Sequence, residues 1–309
     1  MLLKLKYKNK PPPNARVDLT HPLGRNCQAV CLFNDSIGTM HNPGGISNTF
    51  IDTPAVQYYQ TQGNRIPLTF GTTAPTWVTN THGKALYCGS TFSGMDIGFI
   101  DGMFSYDLDF PEFLVGATVT RGQTVLVIRR KVDTTARASS LFGVEDSGGA
   151  IPVTARCGAH VPYSDGTVYW DYGNNTGDNR LSAAGLTFTT NVEKWIFTAG
   201  PRGSTIWRDG IKVASQAVPL TRIVTDQFSN FGGPVINGGN GLSTSGGGDL
   251  QEYNFIMYIA SQWSDDLCQW WFGEPYAAFY EPFMNRSYFI QGIPSAPISP
   301  TEHAGTFFM

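Results

Sequence analysis

The run Trp195-Ile-Phe-Thr-Ala-Gly-Pro-Arg-Gly-Ser-Thr-Ile-Trp-Arg-Asp-Gly-Ile-Lys-Val-Ala214 admits few folds. Trp195, Phe197 and Ala199 alternate with polar or smaller neighbours, and so do Ile206, Ile211 and Val213, which is the period of a strand. Pro201-Arg202-Gly203 and Arg208-Asp209-Gly210 separate three such strands. Asp-Gly supplies the positive φ of a tight hairpin. A meander of this kind is marginal in water by itself, so it requires a larger antiparallel sheet around it.

The rest of the chain repeats the pattern. Lys84–Cys88, Ser93–Ile100, Phe113–Val119, Thr124–Arg129, Ser140–Val144, Ala150–Arg156 and Thr167–Asp171 read as strands about 8–15 residues apart, the rhythm of a sandwich or barrel. Asp249–Ile259 reads as a long strand with alternating faces. One helix is expected at 264–272, with Ser264 as N-cap, Asp265 and Asp266 in the first turn, and Gly273-Glu-Pro275 as its stop. Gly-rich 229–248 reads as surface loops. Residues 27–60 read as irregular, with a turn at Asn42-Pro43-Gly44-Gly45. The organisation expected is an extended N-terminal arm over 1–26, a β-sandwich over 27–284 with its core at about 80–284, and a C-terminal tail over 285–309. Pro11-Pro12-Pro13 forces extended geometry on the first arm.

Composition narrows the function classes. Gly (35), Pro (19) and aromatics (13 %) are abundant and charge is scarce at 15 %, against about 25 % in ordinary domains. The net charge of −3 offers no basic face for nucleic acid, and Arg129-Arg130-Lys131 reads as a hairpin end. No run approaches the roughly 20 apolar residues of a membrane span, and Met1–Lys10 lacks the apolar centre of a secretory signal. The five cysteines (27, 31, 88, 157, 268) have no metal-site spacing and read as buried free thiols of a reducing compartment.

Four constellations remain. Trp170, Tyr172, Asn174 and Asn175 are candidates for a sugar-binding rim, although the alternation around Trp170 favours the core for it, as for Trp195 and Trp207. Asp171 and Asp178 bound an oxygen-rich stretch that suits either a plain hairpin or a calcium ion, the one cofactor considered. Leu2, Leu3 and Leu5, with Phe307 and Phe308, give both ends apolar residues that free tails lack, as in arms that add a strand to a neighbour. Trp263, Trp270, Trp271 and Phe272 read as a cluster closing one sheet.

The combination of Thr167-Val-Tyr-Trp-Asp-Tyr-Gly173, Asn179-Arg-Leu-Ser182, Glu193–Gly200, Ile206-Trp-Arg-Asp-Gly210, Leu250–Ile259 and Phe272-Gly-Glu-Pro-Tyr-Ala-Ala-Phe-Tyr-Glu-Pro282 resembles the laminin-G-like members of the concanavalin A-like lectin superfamily. The ending, with His21-Pro-Leu-Gly24, looks like the phage form. The resemblance implies an all-β jelly-roll sandwich of two antiparallel sheets. It implies a non-enzymatic virion protein of a tailed phage, assembled in the host cytoplasm: a capsid decoration, cement or head-surface protein. The partners implied are the major capsid protein or other virion proteins, surface glycans, and copies of the chain itself in a homo-oligomer, with a trimer as the specific expectation. A glycan- or receptor-binding module of a tail fibre or adhesin is the alternative, and a glycoside hydrolase of the same fold is the third reading. Hydrolysis needs two carboxylates about 5–9 Å apart. The glucanase pattern Glu-x-Asp-x-x-Glu is absent, and the nearest candidates are Asp249/Glu252 and Asp107/Asp109/Glu112.

Overall fold

The computed structural model describes residues 7, 9–12, 15–33, 76–88, 94–96, 122–137, 141–144, 157–172, 180–217, 234–237, 250–259 and 261–280. The described strands are β1 (Arg16–Val17), β2 (Cys27–Cys31), β3 (Thr76–Asn80), β4 (Gly83–Cys88), β5 (Gly94–Asp96), β6 (Gln123–Lys131), β7 (Phe142–Val144), β8 (Cys157–His160), β9 (Val168–Tyr172), β10 (Arg180–Ala183), β11 (Val192–Gly200), β12 (Gly203–Arg208), β13 (Ile211–Gln216), β14 (Pro234–Asn237), β15 (Gln251–Ile259) and β16 (Phe279–Tyr280). One helix, α1 (Asp265–Gly273), precedes β16. Two antiparallel sheets form a sandwich, the expected fold class. One runs β13-β12-β11-β6-β15-β4-β3 with β2 also on β15, and the other runs β10-β9-β8-β7-β14-β5.

The meander is where the sequence puts it. Asp209 and Gly210 both have positive φ (48° and 87°), the signature of a two-residue hairpin turn. Gly203 is fixed more tightly, because a Cβ there would lie 1.8 Å from the Gln216 carbonyl oxygen. Ile211 departs from the expected pattern. It is 68 % exposed, because β13 ends its sheet and its register on β12 shifts between Ile206 and Trp207.

The central strands of the larger sheet are buried on both faces, so β6 and β11 read as nearly continuous apolar runs. Val125, Val127, Trp195, Phe197 and Ile256 face the second sheet, and Trp170 meets Phe197 across the gap at 5.7 Å between centroids. Leu126, Ile128, Ile196, Trp207, Phe255 and Met257 face the other way, into a cluster with Trp263, Cys268, Trp271, Tyr276 and Phe279. That outer layer is built by α1, the following turn and the N-terminal segment.

Within the arm expected over 1–26, described residues from Ala15 on pack against the rest of the chain. Ala15, Val17 and Leu23 are buried in the outer cluster. β1 pairs with β16, and Asp18 N–H donates to the Ala278 carbonyl. His21-Pro-Leu-Gly24 is a compact turn in which a Cβ on Gly24 would meet the Asp18 carbonyl oxygen at 2.2 Å. Cys27–Cys31, expected to be irregular, is a strand on β15. β14 lies inside the Gly-rich stretch expected to be loop, paired with β5 and β7. Leu2, Leu3, Leu5, the Asn42 turn, Phe307 and Phe308 lie outside the described residues. Neither Cys27, half-buried, nor Cys268, buried, is in a disulfide.

β15 carries a phase change that alternation does not reveal. Its register on β6 shifts between Tyr253 and Phe255, leaving Asn254 as the extra residue of a bulge. Tyr253 faces the second sheet, where its hydroxyl donates to the Leu141 carbonyl at 2.8 Å. Phe255, two residues on, sits in the opposite cluster. Asn254 is fully buried, donates to the Lys84 carbonyl and accepts from Asn80.

α1 is capped as its sequence suggests. Ser264 accepts from Leu267 N–H. At its C-terminal end the Lys194 ammonium donates to the Phe272 carbonyl at 2.9 Å, which suits the negative end of the helix dipole. Ser264→Ala is expected to lower stability by about 1 kcal/mol, read as a shift of the urea midpoint at unchanged m-value.

Candidate functional site

The sugar rim expected on β9 divides by strand alternation. Trp170 and Tyr172 point inward, at 1 % and 7 % exposure. The Trp170 indole donates to the Thr198 carbonyl of the facing sheet at 3.0 Å. Both are core residues here, which removes them from a sugar-binding surface. Asn174, Asn175 and Asp178 lie outside the described residues.

The opposite side of β9 carries the polar chemistry. Asp171 is fully buried, and both of its oxygens accept from Arg180, Nε at 2.6 Å and Nη2 at 2.9 Å. A carboxylate committed to a bidentate guanidinium is a poor calcium ligand, so Asp171 reads as an anchor for Arg180. Among the described residues, no group of three or more His, Cys, Asp or Glu is placed to hold a metal. Arg180 in turn lies over the Tyr169 ring, its guanidinium carbon 4.2 Å from the centroid. The Tyr169 hydroxyl donates to Asp165 at 2.7 Å. That bond holds the Asp165 carboxyl below its usual range and pushes the phenol above its own.

Asp165 is set by the turn before β9. Its other oxygen accepts from Thr167 N–H at 2.8 Å, and Gly166 N–H donates to the Tyr163 carbonyl at 2.9 Å. This places the half-exposed Tyr163 beside Tyr169, 6.0 Å between centroids at 74°. His160, buried beneath, meets Tyr163 edge-on at 5.1 Å. Tyr163, Tyr169 and Arg180 thus form one half-exposed surface over a buried base of His160 and Asp171. None of Tyr163, Tyr169, Arg180 or His160 was singled out by sequence. The signal available was the alternation itself: if Trp170 is core, Tyr169 and Asp171 face the other way.

Two further strand carboxylates, Glu193 and Glu252, are equally engaged. Glu193 accepts from Trp195 Nε1 at 3.1 Å, bridges to Arg129 Nη2 at 3.0 Å and pairs with Arg208. Glu252, the hydrolase candidate, accepts from Arg130 Nη1 at 2.9 Å and from Asn80 at 2.8 Å. Asp107, Asp109, Glu112 and Asp249 lie outside the described residues.

A second titratable pair holds the outer layer to the β3–β4 hairpin. The His82 ring nitrogen is 2.8 Å from the Tyr276 hydroxyl. Burial, with the nearby Lys10 and Lys194 charges, pushes His82 down to about 4. The unfolded ring binds its proton near 6.5, so between those values the unfolded state holds more protons and stability falls as pH falls. The expected loss from pH 7 to pH 4 is about 2 kcal/mol after solvent screening of a part-exposed ring. His82→Gln should flatten that slope, measured as urea midpoints across the range.

No protein-family model and no curated protein matches the chain. Solved structures similar to it include the Trypanosoma rangeli sialidase in complex with 2,3-difluorosialic acid, at 9 % identity and a TM-score of 0.46 over 77 % of this chain and 32 % of that one. A CBM40 of the Ruminococcus gnavus IT-sialidase, bound to α2,3-sialyllactose, is similar at 13 % identity and a TM-score of 0.41, over 59 % of this chain and 92 % of that one. The botulinum neurotoxin serotype G binding domain is similar at 8 % identity and a TM-score of 0.44, over 69 % and 47 %. The chain spans about a third of the sialidase. At such identities and scores the likeness extends to neither ligands nor residue roles.

Proposed function

We propose that the chain is a non-enzymatic binding module, a β-sandwich that adheres to glycans, carried by a structural protein of a phage-type virion. The observation that carries the non-enzymatic part is the state of the strand carboxylates. Asp171, Glu193 and Glu252 are each bound by arginine. Glycoside hydrolysis needs one carboxyl held protonated and a second free to attack or to activate water. An arginine partner occupies the carboxylate oxygens, which obstructs both roles. The binding part rests on the half-exposed surface over β9 and on the laminin-G-like resemblance of the sequence.

The test is binding of the whole chain to an array of neutral and acidic oligosaccharides, with reducing-end release from β-glucans followed in parallel. Saturable binding without release is expected. Release that disappears in Glu252→Gln would overturn the non-enzymatic reading.

The virion assignment comes from the phage-type ending and the His21-Pro-Leu-Gly24 opening. It carries the major capsid protein or other virion proteins as partners, and a homo-oligomer, with a trimer expected. Quantitative mass spectrometry of purified particles, scaled to the major capsid protein, decides it. Hundreds of copies would make the chain a head decoration, and a handful would make it a tail or fibre component. Absence from particles would remove the virion assignment and leave the binding module.

A further inference from the structure

We propose that Tyr163, Tyr169 and Arg180 form a subsite for a neutral pyranose on the outward side of β9, an inference that rests on the glycan-binding reading above. A sugar ring presents a C–H face and a rim of hydroxyls. A site for it needs an aromatic surface with fixed donors and acceptors beside it.

The surface here is held in place before any ligand arrives. Arg180 is fixed by two bonds to a fully buried carboxylate. Those bonds use Nε–H and one N–H of Nη2, so three of the five guanidinium N–H groups make no hydrogen bond to a described residue and can face a ligand. Tyr169 is fixed at its hydroxyl by Asp165 and at its ring by Arg180. The Tyr163 backbone is pinned on both sides, its N–H donating to the Thr167 carbonyl at 2.8 Å and its carbonyl accepting from Gly166. The Tyr163 hydroxyl is a further free donor and acceptor, making no hydrogen bond to any described residue. Side chains ordered in advance lose little entropy on binding, and tyrosines carry a large contact area on two rotatable bonds.

Charge selects the ligand class. Among the described residues, the ionised groups at this surface are Arg180 on one side and Asp165 and Asp171 on the other, with Arg180 paired to Asp171. Asp165 is exposed at the rim and repels a carboxylate while accepting hydroxyl donors. A hydroxyl-rich neutral sugar therefore fits better than a sialic or uronic acid.

The test uses the full chain, glucose- and galactose-terminated oligosaccharides, and their sialylated counterparts, with Kd from titration calorimetry. Tyr163→Ala is half-exposed and should fold, checked by its melting temperature. It is expected to weaken binding of the neutral sugars at least tenfold, and Tyr163→Phe to retain most of it. The neutral sugar should bind at least tenfold more tightly than its sialylated form, with the preference reduced in Asp165→Asn. If wild type binds and Tyr163→Ala binds equally well, or the sialylated form is preferred, the subsite is wrong and the binding module stands. If wild type binds no sugar at all, the glycan-binding reading falls with it.

Discussion

Glu193→Ala is expected to destabilise the protein by about 3–5 kcal/mol, the range for removing one partner of a buried ion pair. Glu193 is 1 % exposed, and Arg129 beside it is fully buried. Arg129 is already under-satisfied. Among the described residues its Nε and Nη1 have no hydrogen-bond partner, and its contacts there are Glu193, the Val161 carbonyl at 3.2 Å, and the Trp195 ring. Without Glu193 a buried cation would keep one carbonyl and one aromatic face. Arg208 would lose its buried carboxylate, and the Trp195 indole its acceptor. A double substitution, Glu193→Leu with Arg129→Met, is expected to recover part of the loss, because it removes the buried Arg129 cation while Arg208 and the Trp195 indole stay without their carboxylate. Urea unfolding of the three proteins measures both effects. A loss under 1 kcal/mol in Glu193→Ala would mean that water reaches Arg129 in the folded state.

Much of this architecture is legible in the sequence, and the parts that are not have physical causes. The β11–β13 meander and α1 are local: Asp209-Gly210 fixes one turn, and Ser264 with two aspartates fixes the helix start, so no distant residue is needed to read them. The burial of Trp170 is also legible, because Val168, Trp170 and Tyr172 share a strand face. The consequence for the surface is less legible. Once Trp170 is core, the surface belongs to Tyr169 and Arg180, and only the β9–β10 register brings Arg180 opposite Asp171. The N-terminal segment misleads for a related reason. Ala15, Val17 and Leu23 have no periodicity, because they are held by packing in the outer cluster instead of by a long element of their own. The bulge at Asn254 is invisible because it is made by partners about 170 residues away, Asn80 and Lys84. Strands such as β14 hide in glycine-rich sequence because neighbours on both sides supply their order.

Trp271→Ala should cost about 3–5 kcal/mol, the usual range for emptying a buried aromatic site, while Trp271→Phe should cost far less. Trp271 is 1 % exposed in the outer cluster, 6.1 Å from the Phe255 ring and 5.4 Å from Phe272. Phe255 also meets Tyr276 and Phe279 at 5.7 and 6.1 Å, so the cavity would open under the β1–β16 pair as well as under α1. The indole N–H has no hydrogen-bond partner among the described residues, and a buried donor without one costs roughly 1–3 kcal/mol. Phenylalanine deletes that donor together with part of the ring, and the two changes offset each other. The contrast is informative because the layer Trp271 holds is not part of either sheet. If α1 and the N-terminal segment merely lay on the sandwich, both variants would melt as wild type while losing only local protection. The structure predicts cooperative unfolding instead, because Leu126, Ile128, Ile196 and Met257 lie on the central strands and end in the same cluster as Trp271. Hydrogen exchange on Trp271→Ala should therefore show faster exchange in β6 and β11 as well as in α1, and loss confined to α1 would place the outer layer outside the cooperative core.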